Sequence, residues 1–84
     1  MKKTNLLIYG TLSDTKALER LSNVSITGSP TSIRALGLFF LQCAAEMEAF
    51  DAWDHSHFID SSHMKHRRGD ADVICMFDKV GDTR

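Results

Sequence analysis

The sequence predicts an α+β fold: a two-layer sandwich in which a mixed or antiparallel sheet is covered by one long helix, about residues 30–51, in the order β-α-β-α-β-β. Three observations lead there. A Ser29-Pro30 helix start precedes a long apolar stripe, several short segments alternate apolar and polar residues, and 84 residues form a single domain, 1–84.

Each element has a local cause. Leu6, Leu7, Ile8 and Tyr9 are strand formers, and Gly10 closes their run. Ser13 or Asp14 is placed to cap a short helix with Ala17, Leu18 and Leu21 on one side. Val24 to Thr27 alternates, so Val24 and Ile26 are expected to point inward, and Gly28 stops the strand. Ser29 is a good N-cap, and Pro30 suits the first helical position, where its missing N–H costs nothing. Beyond it, Ile33, Leu36, Phe40, Cys43, Ala44 and Met47 fall on one stripe. A second row, Leu38, Leu41 and Ala45, lies elsewhere on the same helix; it packs on the short first helix or faces another subunit. His55 to Asp60 reads as a strand with His55, His57 and Ile59 on one face. The last strand, Val73 to Phe77, is apolar on both faces, with Val73, Cys75 and Phe77 opposite Ile74 and Met76.

Composition narrows the classes of function. A net charge of −1 argues against general binding to nucleic acid or membrane surfaces. The apolar run Leu6 to Tyr9 is too short for a signal peptide, no stretch reaches membrane-spanning length, and Cys43 and Cys75 fit no disulfide framework or zinc spacing. These features suggest a small bacterial protein of the cytoplasm. A chain this short has a thin core, which favours sharing one in a homodimer.

Three groups of residues are candidates for function. His55 and His57, two apart on a strand, project from one face, with His63 and His66 just beyond; imidazoles so spaced suit a metal ion or small ligand. Against this, His63-Met64-Lys65-His66 lacks the glutamate of a zincin helix, and half-exposed histidines beside carboxylates are common. Glu46, Glu48, Asp51, Asp54 and Asp60 form an acidic stretch, followed by basic Lys65, Arg67 and Arg68. Carboxylates at a helix C-terminus oppose the macrodipole, so helix stability does not explain them. A partner-binding region of Glu48, Asp51, Trp53 and Asp54 does, with a solvated face and a core-packed Trp53 as the simpler account. The turn Gly28 to Ser32 with Arg34 resembles an anion cradle, yet it lacks a P-loop lysine and capping explains it. No nucleophile–base–orienter set is legible, so the chain is read as non-catalytic and as needing no cofactor.

Ile26-Thr27-Gly28, Ser29-Pro30, the helix opening Ile33-Arg34-Ala35-Leu36, and His55-Ser56-His57-Phe58-Ile59-Asp60 before an apolar strand resemble a family of small bacterial immunity proteins of polymorphic toxin systems. The resemblance spans about residues 24–77, and its distinctive element is His55-x-His57; Phe39 and Phe40 depart from the smaller helix residues of that pattern. It implies a protein without catalytic activity or cofactor that binds a partner protein. The leading expectation is therefore a small non-catalytic interaction protein using the acidic and aromatic region. The alternative is a metal- or small-ligand-binding protein using the His55/His57 face.

Overall fold

The computed structural model describes residues 6–12, 16–65 and 70–78. The fold is α+β, as expected, and roughly two-layered: antiparallel strand pairs on one side and one long helix on the other. Its elements are β1 (Ile8–Gly10), β2 (Glu19–Leu21), α1 (Pro30–Ala49), β3 (His55–His57), a 3₁₀ turn (Phe58–Asp60) and β4 (Ile74–Met76). The strands form two separate antiparallel pairs, β1–β2 and β3–β4, rather than one continuous sheet.

The order of elements differs from expectation before α1. The short helix was to begin at Ser13 or Asp14, which lie outside the described residues, but Ala17 and Leu18 are irregular and Leu21 is in a strand. So short a helix is marginal in water, whereas β2 gains a ladder against β1 with Ile8 opposite Leu21 and Tyr9 opposite Arg20. Val24 to Thr27 forms no strand, and Val24 and Ile26 are exposed rather than inward. Alternation marks residues that suit a strand, but without a neighbouring edge to pair with it does not make one.

Helix α1 starts where the sequence places it. Ser29 is extended (φ −73°, ψ 163°), its hydroxyl oxygen accepts the Ser32 N–H at 3.2 Å, and Pro30 follows. The helix ends at Ala49, because Phe50 turns extended while its N–H still donates to the Glu46 carbonyl at 2.9 Å. The core sits between this helix and the segment around β3–β4. It consists of Ala35, Leu36, Phe39, Cys43 and Phe58, with Met47, Trp53, Met64, Val73 and Cys75 packed against it.

The buried stripe of α1 is rotated from the expected one. Leu36 and Cys43 are inside as read, but Phe39 is buried at 2% exposure while Ile33 and Phe40 are exposed, as is Ala44. The facing ring decides this: Phe58 enters from the 3₁₀ turn and stacks tilted on Phe39 at 5.2 Å, a favourable aromatic geometry.

Candidate functional site

The β3–β4 ladder brings the chemistry-bearing residues together. His55 pairs with Met76, Ser56 with Cys75 and His57 with Ile74. Just outside the ladder, Phe77 N–H donates to the Asp54 carbonyl at 2.9 Å and Phe58 N–H to the Val73 carbonyl at 2.8 Å. Hydrogen-bonded pairs alternate along an antiparallel ladder, so 56/75 is hydrogen-bonded, while 55/76 and 57/74 are the non-hydrogen-bonded pairs with the closest side chains. One face carries Ser56 and Cys75 toward α1. The outer face carries His55, His57, Ile74 and Met76, three of them exposed and His57 half-buried.

Both outer histidines are held by carboxylates. Asp54 Oδ2 lies 2.8 Å from His55 Nδ1, and Asp72 Oδ2 lies 2.6 Å from His57 Nδ1. A carboxylate only accepts, so each ring donates through Nδ1–H, and in the neutral ring the lone pair then lies on Nε2. The two rings meet edge to face at 5.3 Å. Asp72 also accepts the Ile59 N–H at 2.9 Å through Oδ1. Burial by itself would raise the Asp72 carboxyl, but the hydrogen bond from His57, backbone N–H groups of Ile59 and Val73 and the His57 charge outweigh it, leaving the group below the usual carboxylate range.

The other candidates lie apart from this face. His63 turns to the helix, where its Nε2–H donates to Gln42 Oε1 at 2.6 Å. Gln42 Nε2–H in turn donates to Glu46 Oε2 at 2.9 Å, and Trp53 Nε1–H to Glu46 Oε1 at 2.8 Å. Hydrogen bonds from Gln42 and then Trp53 hold Glu46 below the usual range. Trp53 thus packs on the core and satisfies its N–H on the helix, half-buried, while Glu48, Asp51 and Asp54 are exposed around it. His66, Arg67 and Arg68 lie outside the described residues. Sequence reasoning missed Gln42 and Asp72. The four-residue spacing of Gln42 and Glu46 was a usable signal; nothing local ties Asp72 to a histidine 15 residues away.

Chemically, the outer face offers two Nε2 lone pairs and a thioether. Ser56 and Cys75 sit on the opposite side of the ladder from the histidines. Among the described residues, no three His, Cys, Asp or Glu side chains converge to hold a metal ion. An open recess of about 470 Å³ lies instead beside β1–β2, lined by Leu6, Leu7, Ile8, Arg20, Leu21 and Ser22, without a histidine or carboxylate. No helix among the described residues is long and apolar enough to cross a membrane.

The cysteines are both free and belong to the core side. Burial first, then the hydrogen bond that the Cys43 thiol donates to Cys75, pushes the Cys43 thiol up to about 12. Since the thiolate is the nucleophile, Cys43 is expected to resist alkylation at pH 8 in the folded protein, while half-buried Cys75 reacts. Mass spectrometry after a short iodoacetamide pulse checks this: one modified thiol when folded, at Cys75, and two in denaturant. Equal labelling of both in the folded state would show that the region around Cys43 opens readily.

Compared with protein-family models, characterised proteins and solved structures, the chain matches none.

Proposed function

We propose that the protein is a small non-catalytic interaction module whose working form is a homodimer, built on the outward face of α1. The observation that carries this reading is the uncovered apolar face of that helix. Leu38 is 48% exposed and Leu41 69%, with Gly37, Ala44 and Ala45 exposed beside them. A face of this kind, on a chain whose buried core among the described residues is five side chains, supports an interaction site.

The occupant that fits is a second copy. At 100° per residue, Arg34, Gly37, Leu38, Leu41, Ala44, Ala45 and Glu48 share the outward side. Arg34 and Glu48 lie equally far from Leu41, seven residues on either side. Two such helices, antiparallel about a two-fold axis at Leu41, set each Arg34 against the partner's Glu48. Leu38 then faces Ala44, and Gly37 faces Ala45. Leu38 meets a small residue, the two Leu41 side chains meet at the axis, opposite charges close both ends, and the contact spans about 21 Å. Gly37 helps the approach, since it leaves the backbone uncovered on this side, with open space within 4 Å of where a Cβ would stand among the described residues.

Light scattering at micromolar concentration is expected to give twice the 9.4 kDa chain mass. Leu41→Glu places two carboxylates at the axis and should yield a monomer of unchanged helicity. Arg34→Glu should weaken association by about tenfold or less, and adding Glu48→Arg should restore it. A monomer at every concentration, or a dimer indifferent to Leu41→Glu, overturns the reading.

The acidic end of the helix supports a further partner of the immunity-protein kind. Asp51 and Asp54 are exposed there, and a basic protein surface is the complement they would steer. In the variant with both changed to Asn, capture of such a partner is expected to slow and to lose much of its salt dependence. Unchanged association would remove the acidic end from the interface.

A further inference from the structure

We infer that His55, His57 and Met76 form a binding site for a soft monovalent metal ion, Cu(I), on the outer face of the β3–β4 ladder. The inference rests on that ladder alone and is independent of the helix face.

Three placements carry it. His55 and His57 project from one side of β3, with ring centroids 5.3 Å apart. Met76 is the direct cross-strand partner of His55 in a non-hydrogen-bonded pair, the arrangement that brings opposed side chains closest. It is also 67% exposed, so its thioether is not needed by the core. Finally, each imidazole is already engaged through Nδ1 by a carboxylate, Asp54 at 2.8 Å and Asp72 at 2.6 Å. Histidines that bind metals are commonly oriented in this way: the carboxylate fixes the ring, sets the tautomer and makes Nε2 the stronger donor.

The donor set selects the ion. Zinc sites use three or four protein ligands, mostly from Cys, His and carboxylate, and no three such groups converge among the described residues. Asp72 has both oxygens committed, one to His57 and one to the Ile59 N–H. Two imidazoles and a thioether make a three-coordinate, charge-neutral set. The soft thioether suits Cu(I), which also accepts low coordination, better than a harder divalent ion. Ile74, opposite His57, shields one flank of the site with apolar surface.

The test is anaerobic titration of the reduced full chain with Cu(I), followed by NMR of the imidazole nitrogens and methionine methyls. A chromophoric Cu(I) chelator as competitor gives the affinity. One equivalent is expected to shift Nε2 of His55 and His57 together with the Met76 methyl. Zn²⁺ should leave that methyl unmoved. Met76→Leu, conservative at an exposed position, should keep the fold and weaken Cu(I) binding by about tenfold or more. The inference is overturned if Cu(I) perturbs only the Cys43 and Cys75 region. It is equally overturned if Met76→Leu binds as tightly as the parent, or if neither histidine responds.

Discussion

Phe39→Ala is expected to cost the protein a large share of its folding stability. Phe39 is 2% exposed and stacks on Phe58 at 5.2 Å and on Phe40 at 5.8 Å, at the centre of a buried core of five among the described residues. Removing a buried phenyl ring costs about 3–5 kcal/mol, the lost transfer energy plus the cavity left behind. A domain of this size has a total stability of about 4–13 kcal/mol, so that loss is a large share of it. The control is its neighbour. Phe40 is 41% exposed, and Phe40→Ala should cost well under half as much. Urea unfolding followed by circular dichroism separates the two. A larger loss at Phe40 than at Phe39 would mean that α1 presents its Ile33/Phe40/Ala44 side to the core.

That comparison marks the point at which the sequence stopped being legible. The start of α1 was readable because Ser29 and Pro30 act through local chemistry: one side-chain oxygen meets the Ser32 N–H, and one ring preorganises the first turn. The helix face was not, because apolar residues surround much of its circumference, and Phe58, 19 positions away, decides which side is covered. Alternation fared likewise. In β3 and β4 it placed His55 and His57 on one side and Cys75 opposite Ile74 and Met76, because the strands found each other. Val24 to Thr27 has the same pattern and no partner strand among the described residues. The candidate site was half visible for this reason. His55-x-His57 is a local pattern, whereas Asp72 and Met76 reach it across the ladder, through contacts that no local spacing reports.

Asp72→Ala is expected to give the second-largest loss, about 2–3 kcal/mol, because this carboxylate closes the connection between β3 and β4. Its two oxygens take different partners, Oδ2 the His57 ring and Oδ1 the Ile59 N–H, on either side of Phe58. Phe58 is itself tied to Val73, next to Asp72, by a 2.8 Å backbone bond. One side chain therefore seats the segment that delivers the aromatic ring to the core. Hydrogen bonds to a charged acceptor contribute about 1.5–3 kcal/mol each; partial exposure of Asp72 places these near the low end. Asp72→Asn should lose only about half as much. Its carbonyl still accepts the Ile59 N–H, but its amide must donate to His57 Nδ1, which forces the ring into the Nε2–H tautomer. Denaturant unfolding with unchanged m-values gives the energies, and nitrogen NMR of His57 reports the tautomer: Nδ1–H in the parent, Nε2–H in the Asn variant. That second reading matters beyond stability, because an Nε2–H ring has no lone pair at Nε2 and its Nδ1 is taken by the Asn amide, so Asp72→Asn should bind Cu(I) poorly while remaining folded. If Asp72→Ala costs less than about 0.5 kcal/mol, within the range of ordinary surface substitutions, the carboxylate does not hold the connection and Phe58 is seated by packing alone.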